Sequence, residues 1–187
     1  MMIDQTTLPK RPSTSPLAQP GAIRAARESD RGDIIGLMRG EALRPYARNW
    51  RAFLVFEHDG QIIGAAQMRH HSDGAREIGS LVVKRDHRGR GVATRLVASL
   101  LERHAGTAFV VTRARHARYY ANQWAFRVVA PFEAPLSIRR DWFLGHYGGW
   151  LMSLLQRRPW QPLTIMARDA GRLQRSGRMP DRGTHHA

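Results

Sequence analysis

The stretch LVVKRDHRGRGVATRLVASLLE, residues 81–102, sets an apolar triplet, a burst of cations and two glycines directly before an amphipathic helix. Leu81, Val82 and Val83 read as the end of a strand. Val92, Leu96, Val97, Leu100 and Leu101 then recur at the spacing of one buried helix face. Between them, Arg88-Gly89-Arg90-Gly91 turns the chain into the helix. The first turn of a helix offers unpaired N–H groups and the positive end of the macrodipole. Glycine lets backbone approach a ligand closely because no Cβ intervenes, and two arginines add charge and donors. The backbone from Arg88 through Gly89, Arg90, Gly91, Val92 and Ala93 to Thr94 therefore forms a cradle suited to a pyrophosphate. The bland counterpart is a glycine-rich turn with its arginines in solvent.

Other phosphate loops fit poorly. The P-loop spacing is missing, and a dinucleotide fingerprint would need glycine where Thr94 stands. It would also follow its strand at once, whereas Lys84-Arg85-Asp86-His87 intervenes.

The surrounding elements alternate between the two periods. Residues 22–26, AIRAA, predict a strand, and Ser29 or Asp30 a cap for a helix with Ile34, Ile35, Leu37 and Met38 on one side. A second helical piece over 41–50 is interrupted by Pro45. Two apolar runs then meet at His58-Asp59-Gly60, and Asp-Gly favours a tight hairpin turn. EIGSLVV (77–83) adds a third strand to the meander. AFVVT (108–112) reads as a buried strand, ARHARYYANQW (114–124) as a helix, and AFRVV (125–129) and PLTIMAR (162–168) as further strands. The order predicts an α/β fold with a mixed, mostly antiparallel sheet flanked by helices. The organisation expected is a polar, proline-rich leader (1–21), one domain (22–168) and a basic tail (169–187), with no secretory signal in the leader.

At 187 residues the chain is long enough for one domain with a proper core. It contains no cysteine, which excludes disulfides and thiolate chemistry and suits a reducing, cytoplasmic setting. The net charge of +15 points to an anionic partner: nucleic acid, an acidic membrane or a phosphorylated cofactor. Only Lys10 and Lys84 among the 30 basic residues are lysine, so the arginine excess equally fits a composition-driven, solvated surface.

Arg88, Gly91 and Ala93 satisfy every fixed position of the Q/R-x-x-G-x-G/A motif of the GNAT superfamily of acyl-CoA-dependent N-acyltransferases, which the order of elements also resembles. The resemblance implies acetyl-CoA as cosubstrate, no metal, and direct attack by an amine in a ternary complex. It implies that the motif strand splays from its neighbour, that the backbone of Leu81 and Val83 pairs with pantetheine amides, and that residues 88–94 hold the pyrophosphate. Glu77, at the start of that strand, is then the candidate base, or else a strand-end carboxylate paired with an arginine. His70 and His71 read as weaker bases or solvated hairpin residues. For the acid, YYANQWAF resembles the family's F-Y-x-x-x-G-F with one extra residue; Tyr120 is the expected donor and Tyr119 the alternative. The asparagine frequent earlier on that helix is missing, and Arg113 stands near its place. The same fold also serves a non-catalytic acyl-CoA sensor or a nucleic-acid-binding module.

An aromatic-rich insertion at about 131–161 exceeds a minimal fold. Trp142, Phe143, Leu144, Tyr147, Trp150, Leu151, Leu154 and Leu155 fit an extra helix packed on the sheet. They also fit a wall of the substrate site or a homodimer contact. Flanked by Arg139, Arg140, Arg157 and Arg158, they fit an anionic membrane surface as well.

Overall fold

A computed structural model describes residues 21–40, 47–155, 157 and 159–169. The apolar alternation of the sequence becomes strands β1 (Gly21–Ala25), β2 (Phe53–His58), β3 (Gln61–His70), β4 (Arg76–Val83), β5 (Ala108–Arg113), β6 (Arg127–Val129) and β7 (Leu163–Arg168). They form one seven-stranded sheet in the order β1-β2-β3-β4-β5-β7-β6. All neighbours are antiparallel except β4 and β5. The hairpin expected at Asp59-Gly60 forms, and both residues have positive φ (49° and 74°), the requirement of a type I′ turn.

Four helices cover the sheet: α1 (Arg31–Gly40), α2 (Val92–Glu102), α3 (Ala117–Trp124) and α4 (Leu136–Leu155). Period-2 alternation decides what each face meets. Leu54, Ala66, Met68, Ile78, Val110 and Met166 point to one side, where α2 and α3 bury Leu96, Val97, Leu100 and Tyr120. On the other side, Phe53, Val55, Ala65 and Val82 pack against Ile34 and Met38 of α1. Further along that face, Ile165 and Ala167 meet Ile138 of α4. The helix α2 can lie close because Gly64 leaves room: a Cβ there would come within 2.8 Å of Val92.

Several expectations shift. The chain 47–52 is a 3₁₀ segment rather than α-helix, and residues 41–46, with Pro45, lie outside the described residues. The sheet begins at Gly21, one residue inside the expected leader, and Asp169 accepts a hydrogen bond from Thr107 Oγ1 at 3.0 Å, so the fold reaches one residue into the expected tail. The remaining leader and tail lie outside the described residues. Asp30 faces backwards instead of capping α1: its carboxylate accepts from the Arg27 N–H at 2.7 Å and from Arg24 at 2.6 and 3.0 Å. Arg24 also donates to Glu57 at 2.6 Å, tying β1 to β2 and to the entry of α1.

The N-terminus of α4 is held from a distance. Asp73, in the β3–β4 turn, accepts from the Ser137 N–H at 3.0 Å and from the Ser137 hydroxyl at 2.9 Å. It acts as a helix cap supplied 64 residues upstream.

The Arg24 guanidinium holds the Asp30 carboxyl below its usual range, although burial opposes it. We expect Asp30→Asn to cost about 2 kcal/mol in urea unfolding at neutral pH, because a charged acceptor is lost while Arg24 keeps Glu57. The depressed folded value also fixes the sign with pH. The contribution is complete above the unfolded value of about 3.9 and disappears as pH falls through the lower folded value.

Candidate active site

The decisive feature is where β4 leaves β5. Their parallel register runs Arg76↔Ala108, Glu77↔Phe109 and Ile78↔Val110, and stops there. The next residues of β4 carry a bulge against β3: Gln67 pairs with Gly79 and Ala65 with Val82, so Ser80 and Leu81 oppose Ala66 alone. Ser80 takes a φ of +51°, unusual for a residue with a side chain. Gln67, itself buried, donates from Nε2 to Ser80 Oγ at 2.8 Å and pins the bulge. From Gly79 to Val83 the β4 edge therefore has no strand partner on the β5 side.

The glycine-rich turn follows after a short 3₁₀ segment, Arg85–His87. Gly89 and Gly91 have φ of +73° and +76°, and an added Cβ at either would meet nothing within 4 Å, so the space before them is open. Gly91 occupies the cap position of α2, and no side chain caps the first turn. A glycine at the cap leaves the first-turn N–H groups of Val92, Ala93 and Thr94 without a bond from the cap side chain. Arg88 Nε donates to the Val83 carbonyl at 3.1 Å, which fastens the turn to the end of β4. Val82 and Val83 put their side chains into the two cores, one on each face, so only their backbone faces along the open β4 edge.

On the α1 and α4 side of the sheet, a row of polar residues separates the two apolar patches. Arg69 lies directly opposite Glu77 in the β3–β4 register, and its Nη1 is 3.3 Å from Glu77 Oε2 and 3.7 Å from Asp141 Oδ2 of α4. Its guanidinium crosses Gly79, where a Cβ would come within 2.6 Å of Nε. His71 Nε2 sits 3.0 Å from the same Glu77 oxygen. Glu77 is thus an ion-paired carboxylate, with Arg69 as its cation. His71 departs from the solvated residue expected: its side chain is 10% exposed, whereas His70 is exposed. His71, Glu77 and Asp141 bring ligand-type atoms within 4.8 Å of one another, but Arg69 already supplies the positive charge among them.

The two tyrosines of α3 differ in role. Tyr120 is buried among the rings of Tyr119, Trp124 and Phe126, and burial pushes its phenol far up. The Tyr119 hydroxyl lies 3.2 Å from Thr94 Oγ1, in the first turn of α2. Burial raises its phenol too, and the Thr94 hydrogen bond draws it partly back. The hydroxyl tied to the motif helix is therefore that of Tyr119, the alternative register. Arg113 ends β5 with its side chain exposed.

Sequence reasoning missed Gln67, Arg69, Ser80, Asp141 and the burial of His71. One signal was present: a glycine inside a strand marks a bulge or a close approach, and Gly79 marks both.

The family described as Acetyltransferase (GNAT) family matches residues 23–126. No curated protein is similar enough in sequence to count as a match. Among solved structures, N-acetylglutamate synthase from Neisseria gonorrhoeae, complexed with coenzyme A and N-acetyl-glutamate, is 22% identical with a TM-score of 0.65. The alignment covers 81% of this chain and 35% of that one, so the chain spans about a third of that enzyme. The yncA protein from Salmonella typhimurium, with its cofactor acetyl-CoA, is 17% identical with a TM-score of 0.59 and coverage of 87% and 99%. An acetyltransferase of the GNAT family from Staphylococcus aureus Mu50 is 12% identical, with a TM-score of 0.56 and coverage of 80% and 99%.

The hydrogen bond to Glu77 raises the His71 imidazole above its ordinary value, with burial and Arg69 working against it. NMR titration should find His71 above about 6.5. In Glu77→Gln burial, the largest opposing cause, outweighs the remaining pull of Asp141, and the value should fall below that figure. The raised value means that the pairing stabilises fully below the unfolded pKa and is lost as pH rises through the folded one.

Proposed function

The chain belongs to the acetyltransferase (GNAT) family, and on that footing we propose that it transfers an acetyl group from acetyl-CoA to an amine. The observation that carries this reading is the unpartnered β4 edge leading into an uncapped α2 N-terminus. That sequence of features offers strand-type hydrogen bonds to pantetheine amides, then N–H donors and a dipole to the pyrophosphate. Leu81 and Val83 supply the strand groups, and the backbone of residues 88–94 the cradle.

In this reading the amine nitrogen attacks the thioester carbonyl carbon. Backbone N–H groups at the bulge stabilise the charge that develops on the carbonyl oxygen, a contribution of about 2.7–4 kcal/mol per well-placed donor. The new C–N bond forms as the C–S bond breaks. The ammonium proton passes to the Glu77–His71 pair, directly or through water, while the departing thiolate takes a proton from Tyr119. Arg69 holds Glu77 and is itself held by Asp141, which orients the pair. Tyr119 is preferred over Tyr120 because its hydroxyl adjoins Thr94 of the cradle.

The test combines binding with turnover. Acetyl-CoA at about 100 times its Kd should add about 2.7 kcal/mol, a Tm rise of roughly 5–10 °C for a chain of this size. Gly91→Glu, which puts a carboxylate in the open space of the cradle, should remove that rise while remaining folded. Glu77→Gln and Tyr119→Phe should keep the rise yet lose about 10²–10⁴-fold in turnover against an amine panel, with Tyr120→Phe much milder. A full Tm rise with turnover indifferent to both substitutions would leave a non-catalytic acyl-CoA sensor as the reading.

A further inference from the structure

The distal part of α4 is the largest feature that the acetyl-transfer reading leaves unused. Its first turns are docked: Asp73 caps Ser137, Ile138 is fully buried, and Trp142 Nε1 donates to the Leu163 carbonyl at 2.8 Å. His146 Nδ1 accepts from the Leu163 N–H at 3.2 Å. From Phe143 onward the helix keeps its apolar composition but exposes much of it. Phe143, Tyr147, Trp150 and Leu154 follow one another at helical spacing, with Leu144 and Leu151 beside them, and each is at least half exposed. The expected extra core helix is therefore only half realised. A contiguous exposed stripe of this kind marks a contact surface.

The chain itself has little to cover it with. Outside the described residues the large apolar groups of 1–20 are Met1, Met2, Ile3, Leu8 and Leu17, set among polar residues and prolines, and those of 170–187 are Leu173 and Met179. The charges around the stripe favour one kind of occupant. From Trp142 to Arg168 the sequence contains no carboxylate, while Arg139 and Arg140 precede the stripe and Arg157 and Arg158 follow it. A second copy of a chain carrying +15 would bring cations against cations along this helix with only Asp141 to answer them. An anionic surface meets both the apolar stripe and its cationic ends. Trp and Tyr suit such a boundary, having an apolar body and a polar tip. No described helix is long and apolar enough to cross a membrane. The apolar run 142–155 extends about 21 Å, short of a hydrocarbon core of roughly 30 Å, so it would lie in the interface and not span it.

We propose that the distal half of α4, with its flanking arginines, seats this protein on an anionic lipid surface. The contact is made by Phe143, Tyr147, Trp150 and Leu154 entering the headgroup boundary, while the arginines meet lipid phosphates. None of these residues belongs to the acetyl-transfer machinery, so the proposal stands or falls independently of it.

Co-sedimentation of the full chain with vesicles of phosphatidylcholine alone, and with one quarter phosphatidylglycerol, tests it. The wild type should sediment with the anionic vesicles and not with the neutral ones. Trp150→Ser/Leu154→Ser should weaken that binding roughly tenfold or more, through lost apolar burial. Arg139→Gln/Arg140→Gln should weaken it to a smaller extent and reduce its salt dependence. An unchanged melting temperature in each variant shows that the fold is intact. Binding that survives Trp150→Ser/Leu154→Ser would mean bulk charge alone and overturn the proposal. So would equal binding to neutral vesicles. A concentration-dependent dimer in analytical ultracentrifugation, lost in Trp150→Ser/Leu154→Ser and accompanied by no vesicle binding, would assign the stripe to a second copy instead.

Discussion

The candidate site depends on one extra residue in β4. Opposite Ala66, the strand spends two residues, Ser80 and Leu81, and the ladder to β5 ends just before them at Ile78 and Val110. A bulge of this kind adds twist and bends its strand, and here the bend opens a gap in an otherwise continuous sheet. It also resets the alternation, so that Glu77 and Val82, five positions apart, face the same side. Gln67 holds the bulge through Ser80 Oγ, and Arg88 ties the following turn back to Val83. Remove the extra residue and β4 could pair with β5 to its end, closing the edge that leads into the cradle.

The two faces of the sheet divide the remaining tasks. The α2 and α3 face is a continuous apolar core, which gives the glycine-rich turn a rigid base. The α1 and α4 face is broken by the row Gln67, Arg69, Glu77 and Asp141, with His71 at its end. Buried charges are costly unless paired and hydrogen-bonded, and this cluster meets that condition by using one arginine between two carboxylates. A protein so rich in arginine has cations to spare for such internal pairing. Arg24 does the same at the opposite edge with Asp30 and Glu57. Each of these clusters sets one arginine against two carboxylates, so the pairing leaves the positive excess to the rest of the chain.

The local patterns were legible because they depend on neighbours in the chain. Asp59-Gly60 demands positive φ wherever it sits, and the five apolar residues of α2 define a face before anything packs on it. The glycine-rich turn is similar: its open backbone follows from two missing Cβ atoms. The aromatic insertion read as a helix for the same reason, yet its composition could not say which part would be covered. That depended on Asp73 and Leu163 reaching only its first half.

By itself the sequence determined most of the elements, the hairpin and the glycine-rich turn, which rest on residues close together in the chain. Tertiary structure decided which side chains meet across the sheet. Glu77 finds Arg69 and His71 only because β3 and β4 pair in that register, and Asp141 joins them only because α4 returns over the same face. It also set the Tyr119 hydroxyl against Thr94 while burying Tyr120 among aromatic rings, since a helix turns about 100° per residue and packing decides which way α3 is rotated. Periodicity gives a helix its face, but the rotation and docking of that face are set by packing partners distant in sequence.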